Sequence, residues 1–319
     1  MTPQPTAPDE AAETSMTPSA AGTGPGPPRW EGEDFTVVPV RHPLRWVSGA
    51  IVLILLALVV RAFATADINY PVVVEYLTSE LILIGVYNTL RLLVLAMLMG
   101  VVLGVLLAVM RQSENPVLRH VAAGYTWFFR GTPLLVQLLI WFNLSIVFDN
   151  FAIPGLVSIP MNDLMTPFVA ALLGLGFNEG AYISEIARSG IISVDNGQRE
   201  AAAAIGMSRS KTMRRIVLPQ ALRVIVPPLS NEFIACLKYS SLAFTISYSE
   251  LLHSANKIYT ANYMVIELLF TASIWYLFLT TIFTVFQQML ERRLSRGIPG
   301  AVRPSFSSKL RQNISLRRH

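Results

Sequence analysis

The sequence predicts an all-α fold, a polytopic membrane helical bundle of about six spans. Three observations carry that expectation. The 319-residue chain is 53% hydrophobic and only 14% charged, against about 25% charged in a typical soluble domain. Its apolar residues gather in runs long enough to cross a bilayer as helices. Its lysines and arginines gather between alternate runs, the bias that marks cytoplasmic loops. A single cysteine, Cys236, excludes an intrachain disulfide framework. The histidines at 42, 120, 253 and 319 are scattered without metal-ligand spacing, so neither a metal nor any other cofactor is expected.

Residues 1–45 are rich in Pro, Gly, Thr, Ala and Glu and hold almost no long apolar run, which predicts a disordered tail. The first span is Trp46–Ala66, with Arg61 near one end where it can snorkel. Its AFATAD ending resembles a signal-peptide cleavage site, but the long polar lead favours an uncleaved anchor. Leu81–Met110 forms the second span, and its Gly100 and Gly104 are spaced for close helix approach. The stretch ending at Arg130 reads as interfacial, with Tyr125, Trp127 and Phe128 at headgroup depth. A third span, Gly131–Phe148, carries no charge. The fourth begins near Met165 and runs into a polar end with Asn178, Glu179, Tyr182 and Glu185. A proline-interrupted apolar region, Pro219–Leu252, precedes the last span, Leu268–Met289. The tail at 291–319 holds eight basic residues and no acidic one after Arg292 is reached. An even number of spans puts both termini on one side, and the basic loops make that side cytoplasmic.

Between the fourth span and Pro219 lies EAAAAIGMSRSKTMRRIVLP, polar and basic in an otherwise apolar chain. Its alanines favour a first short helix, Val194 to Ile205. Gly206 supplies the freedom needed at a helix C-terminus, Ser208 is an N-cap for a second helix, and Pro219 closes the unit. The KT at 211–212 has the look of a phosphate-binding loop, but the second glycine before the lysine is missing and the count is one short. No nucleotide site is therefore expected in this chain.

The spacing of Glu200, Ala201, Ala202, Gly206, Ile216, Leu218 and Pro219 matches the EAA signature and resembles the permease subunits of ABC importers. Four further blocks, GVYNTLRL (Gly85–Leu92), FRGTPLLVQ (Phe129–Gln137), NEGAYISEIARSGI (Asn178–Ile191) and the run Leu218–Leu251, are similar to the polar amino-acid branch of that superfamily. The likeness covers roughly residues 80–290. It implies a type I permease-like core with cytoplasmic coupling helices in the loop 195–219; the transmembrane helix at 46–66 is extra to the family pattern, which assigns it no role. Lys238–Phe244 departs from the Lys-Asp-Thr-Ser-Leu of many members, so no role of that aspartate is carried over.

The implied function is ATP-driven import of polar amino acids across a bacterial cytoplasmic membrane. The implied partners are ABC ATPase subunits, an extracellular or periplasmic solute-binding protein, a second permease protomer (identical or a sister chain) and the lipid bilayer, with no nucleic acid. The chain itself would be no enzyme. Another small cargo, such as an opine or small peptide, stays open, as does an ATP-independent channel or carrier. Charged and amide groups inside spans point by default to function. Asn178, Glu179, Glu232 and Lys238 are the candidate substrate-pathway residues. Against that stands the plainer role of pairing among themselves or with Arg130 and Arg188 to hold the bundle.

Overall fold

The computed structural model describes residues 43–153 and 157–294. The expected disordered tail at 1–45 and the basic tail at 291–319 lie outside the described residues, apart from their innermost residues. The chain divides after Ala66 into two units. The described part of the first is α1 (Pro43–Thr65), whose side chains from Trp46 onward are all exposed. A helix apolar all round and without a buried face suits a lipid surround.

The second unit is a bundle of helices built around two long partners, α3 (Glu80–Arg111) and α7 (Pro167–Ile192). α2 (Tyr70–Leu77) leads into α3, which has Glu80 in its first turn and Arg111 in its last, the charge placement that favours each end of a helix dipole. α4 (Pro116–Gly131) and α7 start alike. In each, a side-chain cap precedes a proline that needs no N–H in the first turn. Asn115 Oδ1 accepts from Val117 N at 2.9 Å, and Thr166 Oγ1 accepts from Val169 N at 3.3 Å.

α3 and α7 run parallel and interlock through glycines on both sides. A β carbon at Gly100 would stand 2.8 Å from Glu179 Cβ, and one at Gly104 would stand 2.6 Å from Ile183 Cγ2. In return, positions Gly176 and Gly180 of α7 receive Met99 Sδ at 2.8 Å and Leu103 Cβ at 2.9 Å. Each helix thus offers two small residues four apart as sockets for large residues of the other. The α3 pair was expected; the matching pair on α7 was not.

Three sequence expectations fail in this unit. The third span is not one helix. α4 ends at Gly131, α5 (Leu134–Phe142) has only nine residues, and a 3₁₀ turn at Leu144–Ile146 follows. Nine residues rise about 14 Å, under half of a hydrocarbon core. The chain then makes an antiparallel hairpin, β1 (Asn150–Ile153) with β2 (Val157–Pro160), and a single turn, α6 (Met161–Leu164). The stretch before this break is also not merely interfacial. Ala122 and Thr126 of α4 are buried, and the Tyr125 hydroxyl donates to Phe177 O inside the bundle at 2.8 Å, while Trp127 and Phe128 remain exposed.

After α7 come α8 (Asn196–Ala204) and α9 (Arg209–Thr212), then α10 (Leu218–Tyr239), a 3₁₀ turn (Ser240–Ile246), α11 (Leu251–Asn262) and α12 (Val265–Leu294). α10 runs on through Pro227 and Pro228, so the discontinuity expected in the Pro219–Leu252 region lies at Ser240–Ser249 instead. Among the described residues, the spans of α1, α3 and α12 are long and apolar enough to cross a membrane on their own. α7 (26 residues) and α10 (22 residues) have the length, but α7 buries Asn178, Glu179 and Ser184, and Asn231 of α10 accepts from Gln287 on α12. The core of the unit gathers Leu92, Leu93, Ala96, Leu138, Leu175, Leu237, Ile246 and Leu268 between these elements.

Replacing Gly104 by alanine is expected to push α3 off α7, because the new methyl meets Ile183 Cγ2 and, at 3.1 Å, the backbone nitrogen of Ser184. Overpacking of this kind costs about 1–3 kcal/mol. Thermal unfolding of the detergent-solubilised protein should show a lowered midpoint for Gly104→Ala. Gly49→Ala, where nothing lies within 4 Å, should leave it unchanged.

Candidate functional site

The signature loop folds as a compact hairpin of short helices. Asp195 opens α8, its carboxylate accepting from Gly197 N at 2.6 Å. The alanine run carries the helix to Ala204. There the chain reverses at Gly206, whose φ of +75° is in the left-handed region. Gly206 N–H donates to Ala203 O at 2.9 Å and Met207 N–H to Ala202 O at 3.0 Å, closing the helix end as a glycine cap does. Ser208 then caps α9, its hydroxyl accepting from Lys211 N at 3.5 Å. These local roles of Gly206 and Ser208 agree with the sequence reading.

Pro219 does not close the unit. A π turn at Met213–Val217 joins α9 to α10, with Leu218 N–H reaching back to Met213 O. Pro219 then falls in the first turn of α10, where a missing N–H leaves no hydrogen bond unmade. The hairpin therefore flows into a long helix rather than ending before it.

Its base is firmly seated. Ile191 and Val194, at the end of α7, pack with Val217, Ala221 and Ile225 in a separate apolar cluster. Gly190 lets Ile225 approach α7 so closely that no β carbon would fit. Arg199 donates to Ile191 O at 2.7 Å, tying α8 to the last turn of α7. Of the signature residues, Ala202 is buried and Ile216 half-buried, so they support the hairpin. Glu200, Ala201, Gly206, Leu218 and Pro219 are exposed and available to a partner. Ile205, at the tip beside Gly206, is 76% exposed, which makes the tip apolar. Arg209 meets Glu114 at 2.8 Å, but both are so exposed that the pair adds little.

Above the hairpin, α7 carries the polar residues read as pathway candidates, and they have different fates. Asn178 is fully engaged. Its amide donates to Phe129 O at 3.0 Å and to Gln137 Oε1 at 3.2 Å. Gln137 donates in turn to Phe129 O at 2.9 Å, to Thr132 O at 3.1 Å and to Thr132 Oγ1 at 2.8 Å. These two amides take up the carbonyls set free where α4 breaks before Pro133. Gln137 was missed by the sequence reading, although an amide in an otherwise apolar, uncharged run was its signal. Glu185 is likewise engaged, held by Arg188 at 2.8 Å and Arg111 at 3.4 Å, while Arg111 also donates to Thr126 Oγ1 at 2.9 Å.

Glu179 differs. It is 1% exposed, its Oε2 has no hydrogen-bond partner among the described residues, and its β carbon rests against Gly100. Glu232 on α10 is half-buried and within electrostatic reach of it. Lys238, at the far end of α10, is exposed and makes no ion pair among the described residues. The four candidates thus do not form one cluster: Asn178 braces the helix break, Glu179 and Glu232 share an acidic region, and Lys238 stands apart. Among the described residues no His, Cys, Asp or Glu group is arranged to hold a metal ion.

Residues 100–296 match the family described as binding-protein-dependent transport system inner membrane component. An arginine transport system permease protein of Corynebacterium glutamicum is 42% identical over 277 residues, covering 86% of this chain and 87% of its own. An L-cystine transport system permease protein of Bacillus subtilis is 39% identical over 67% of this chain and 86% of its own. A glutamine transport system permease protein of Escherichia coli is 35% identical over 67% of this chain and 93% of its own. Among solved structures, an amino acid ABC transporter with histidines superposes with a TM-score of 0.63 at 35% identity, covering 72% of this chain and 100% of that one. A methionine ABC transporter in an inward-facing conformation, 20% identical and covering 69% of this chain and 100% of its own, shares the fold with a TM-score of 0.54.

Gln137→Leu removes the donor to three acceptors at the α4–α5 break and strands the Asn178 amide. Each buried group left unpaired costs about 1–3 kcal/mol. Gln137→Leu and Asn178→Ala should each lower the unfolding midpoint, and the double variant should cost less than their sum, as read from a thermal double-mutant cycle.

Proposed function

The chain belongs to the binding-protein-dependent transport system inner membrane component family, and from that premise we infer that it is the permease subunit of an ATP-binding-cassette importer for polar amino acids. The relatives are named for arginine, cystine and glutamine, which supports a polar amino acid as the cargo. The observation that carries the mechanism is the signature hairpin. It presents an apolar tip at Ile205 and Gly206, with small alanines beside it, on a base packed into the ends of α7 and α10. A shape of this kind fits a groove on a partner and resists bending when pulled.

Two such chains, identical or sister subunits, would line the pathway. Two ATPase subunits would hold the hairpins, and a solute-binding protein outside would deliver the cargo. The hydrolysing site belongs to the ATPase and this chain is no enzyme. Closure of the ATPases on ATP draws the hairpins together. Because α8 is pinned to α7 through Arg199 and the apolar base, that displacement passes directly to the helices carrying Glu179 and Glu232. ATP then biases the two pathway states through contacts that differ between them. The arrangement of Lys and Arg supports a hairpin and both termini on the cytoplasmic side of the bacterial membrane.

Glu179, Glu232 and Lys238 remain the substrate-pathway proposal. A buried carboxylate oxygen without a partner is costly, and such groups in membrane proteins face functional pathways. The two carboxylates suit the ammonium of an amino acid. Asn178 contributes by holding the wall of the pathway rather than by touching cargo.

Deleting the gene from its host should abolish uptake of at least one labelled polar amino acid among arginine, glutamine and cystine. Unchanged uptake of all polar amino acids would exclude the cargo class. Gly206→Val places a β-branched residue at φ +75°, a strain worth about tenfold in the docking equilibrium. Uptake and co-purification of the ATPase should fall together while the amount of permease in the membrane stays the same. Normal values of both would contradict the docking role.

A further inference from the structure

A groove of about 510 Å³ lies between α3, α10 and α12. Met97 and Val101 of α3, Leu229 and Phe233 of α10, and Phe283 and Phe286 of α12 line it. Its two polar lining residues, Ser230 and Gln287, spend their donors elsewhere. The Ser230 hydroxyl donates to Val226 O at 2.9 Å, and the Gln287 amide donates to Asn231 Oδ1 at 2.8 Å and Glu291 Oε1 at 2.9 Å. Such a groove has nothing to offer a polar solute and suits a hydrocarbon chain.

One end of the groove is basic. Phe233 meets Phe283 edge-on with ring centroids 4.9 Å apart, and Asn231 pairs with Gln287. Moving back along α10 thus matches moving forward along α12, so the two helices run antiparallel. Arg223 comes three residues before Val226, and Arg293 three residues after Leu290, so each continues its lining stripe by one turn. Both therefore stand at the same end, where α10 leaves the signature hairpin. They are exposed and enter no ion pair among the described residues. Arg214, Arg215 and Arg292 are exposed at this end as well, against one half-buried acid, Glu291. Residues 295–319 add six more lysines and arginines to the sequence and no acid.

We propose that this groove is a binding site for an anionic phospholipid, with an acyl chain between α10 and α12 and the phosphate at Arg223 and Arg293. Basic pockets between helices at the cytoplasmic face hold anionic headgroups, and the orientation argued above puts this end there. A second permease seated over the same groove by a two-fold axis would instead bring the arginines of both copies together. The proposal goes beyond the import reading and needs no cargo. A lipid held there would brace α10 against α12 just above the hairpin.

The test is photolabelling of the full-length permease with its ATPase, in nanodiscs of phosphatidylcholine without ATP or cargo. The probes are trace phosphatidylglycerol and trace phosphatidylcholine with the same diazirine-bearing acyl chain, and mass spectrometry locates the labelled peptides. Phosphatidylglycerol should label the groove segments of α10 and α12 in preference to phosphatidylcholine. Arg223→Gln and Arg293→Gln should each lower that preference about fivefold, the scale of one basic residue near an anionic lipid surface. Their unfolding midpoints should stay unchanged. Equal labelling by the two lipids, labelling outside the groove, or a preference that survives both substitutions would overturn the proposal. Competition by glycerol 3-phosphate as strong as by unlabelled phosphatidylglycerol would also overturn it, in favour of a free phosphate ester. A disulfide between two copies of Phe286→Cys would do the same, in favour of a second permease over the groove. ATP-driven uptake by the same complex in proteoliposomes judges the import reading separately.

Discussion

The interlock of α3 with α7 is the contact on which the rest of the bundle depends. Inside a bilayer apolar side chains gain nothing by leaving lipid for protein, so helices associate through close fit and internal polar bonds. Gly100 and Gly104 on one helix and Gly176 and Gly180 on the other provide that fit reciprocally. α7 then carries Asn178, Glu179, Tyr182 and Glu185 along its length, and the signature hairpin from its end. Its placement against α3 sets where each of those groups lies.

Within that frame the polar groups divide into those that are satisfied and those that are not. At the α4–α5 break, Gln137 and Asn178 cover the freed carbonyls. At the end of the bundle nearest the hairpin, Arg111, Arg188 and Glu185 neutralise one another. On the side of α3 remote from the hairpin, the Tyr276 hydroxyl and the backbone N–H groups of Leu252 and His253 all donate to Glu250. Against this background the free oxygen of Glu179 stands out.

What was legible in the sequence was local. Gly206 and Ser208 act through hydrogen bonds within a few residues, and their roles could be read from residue type and position. The hydrophobic runs of α1, α3 and α12 were equally plain, because each is apolar enough to stand alone. The third span misled because its charge-free composition hides a broken helix. That break is stabilised by Asn178, 49 residues further along the chain, and no local pattern reveals such a partner. Pro219 misled for a related reason. A π turn before it moves the proline into a position where it ends nothing. At the site, Glu179 and Glu232 could be named from the cost of burying charge. That Asn178 is a brace required the three-dimensional pairing.

These features add up to one mechanical claim: hairpin, α7 and the base of α10 move as a single body, so that ATPase closure reaches the helices that carry Glu179 and Glu232 without loss in a flexible joint. Spin labels at Ser210 on the hairpin and Ser189 on α7 test it directly, through pulsed-resonance distances in the assembled transporter with and without ATP. The distance within one protomer should stay constant while the distance between the two Ser210 labels shortens. A change in the distance within the protomer, with the two α7 helices staying where they were, would mean that the hairpin swings on its own, and the claim would be wrong.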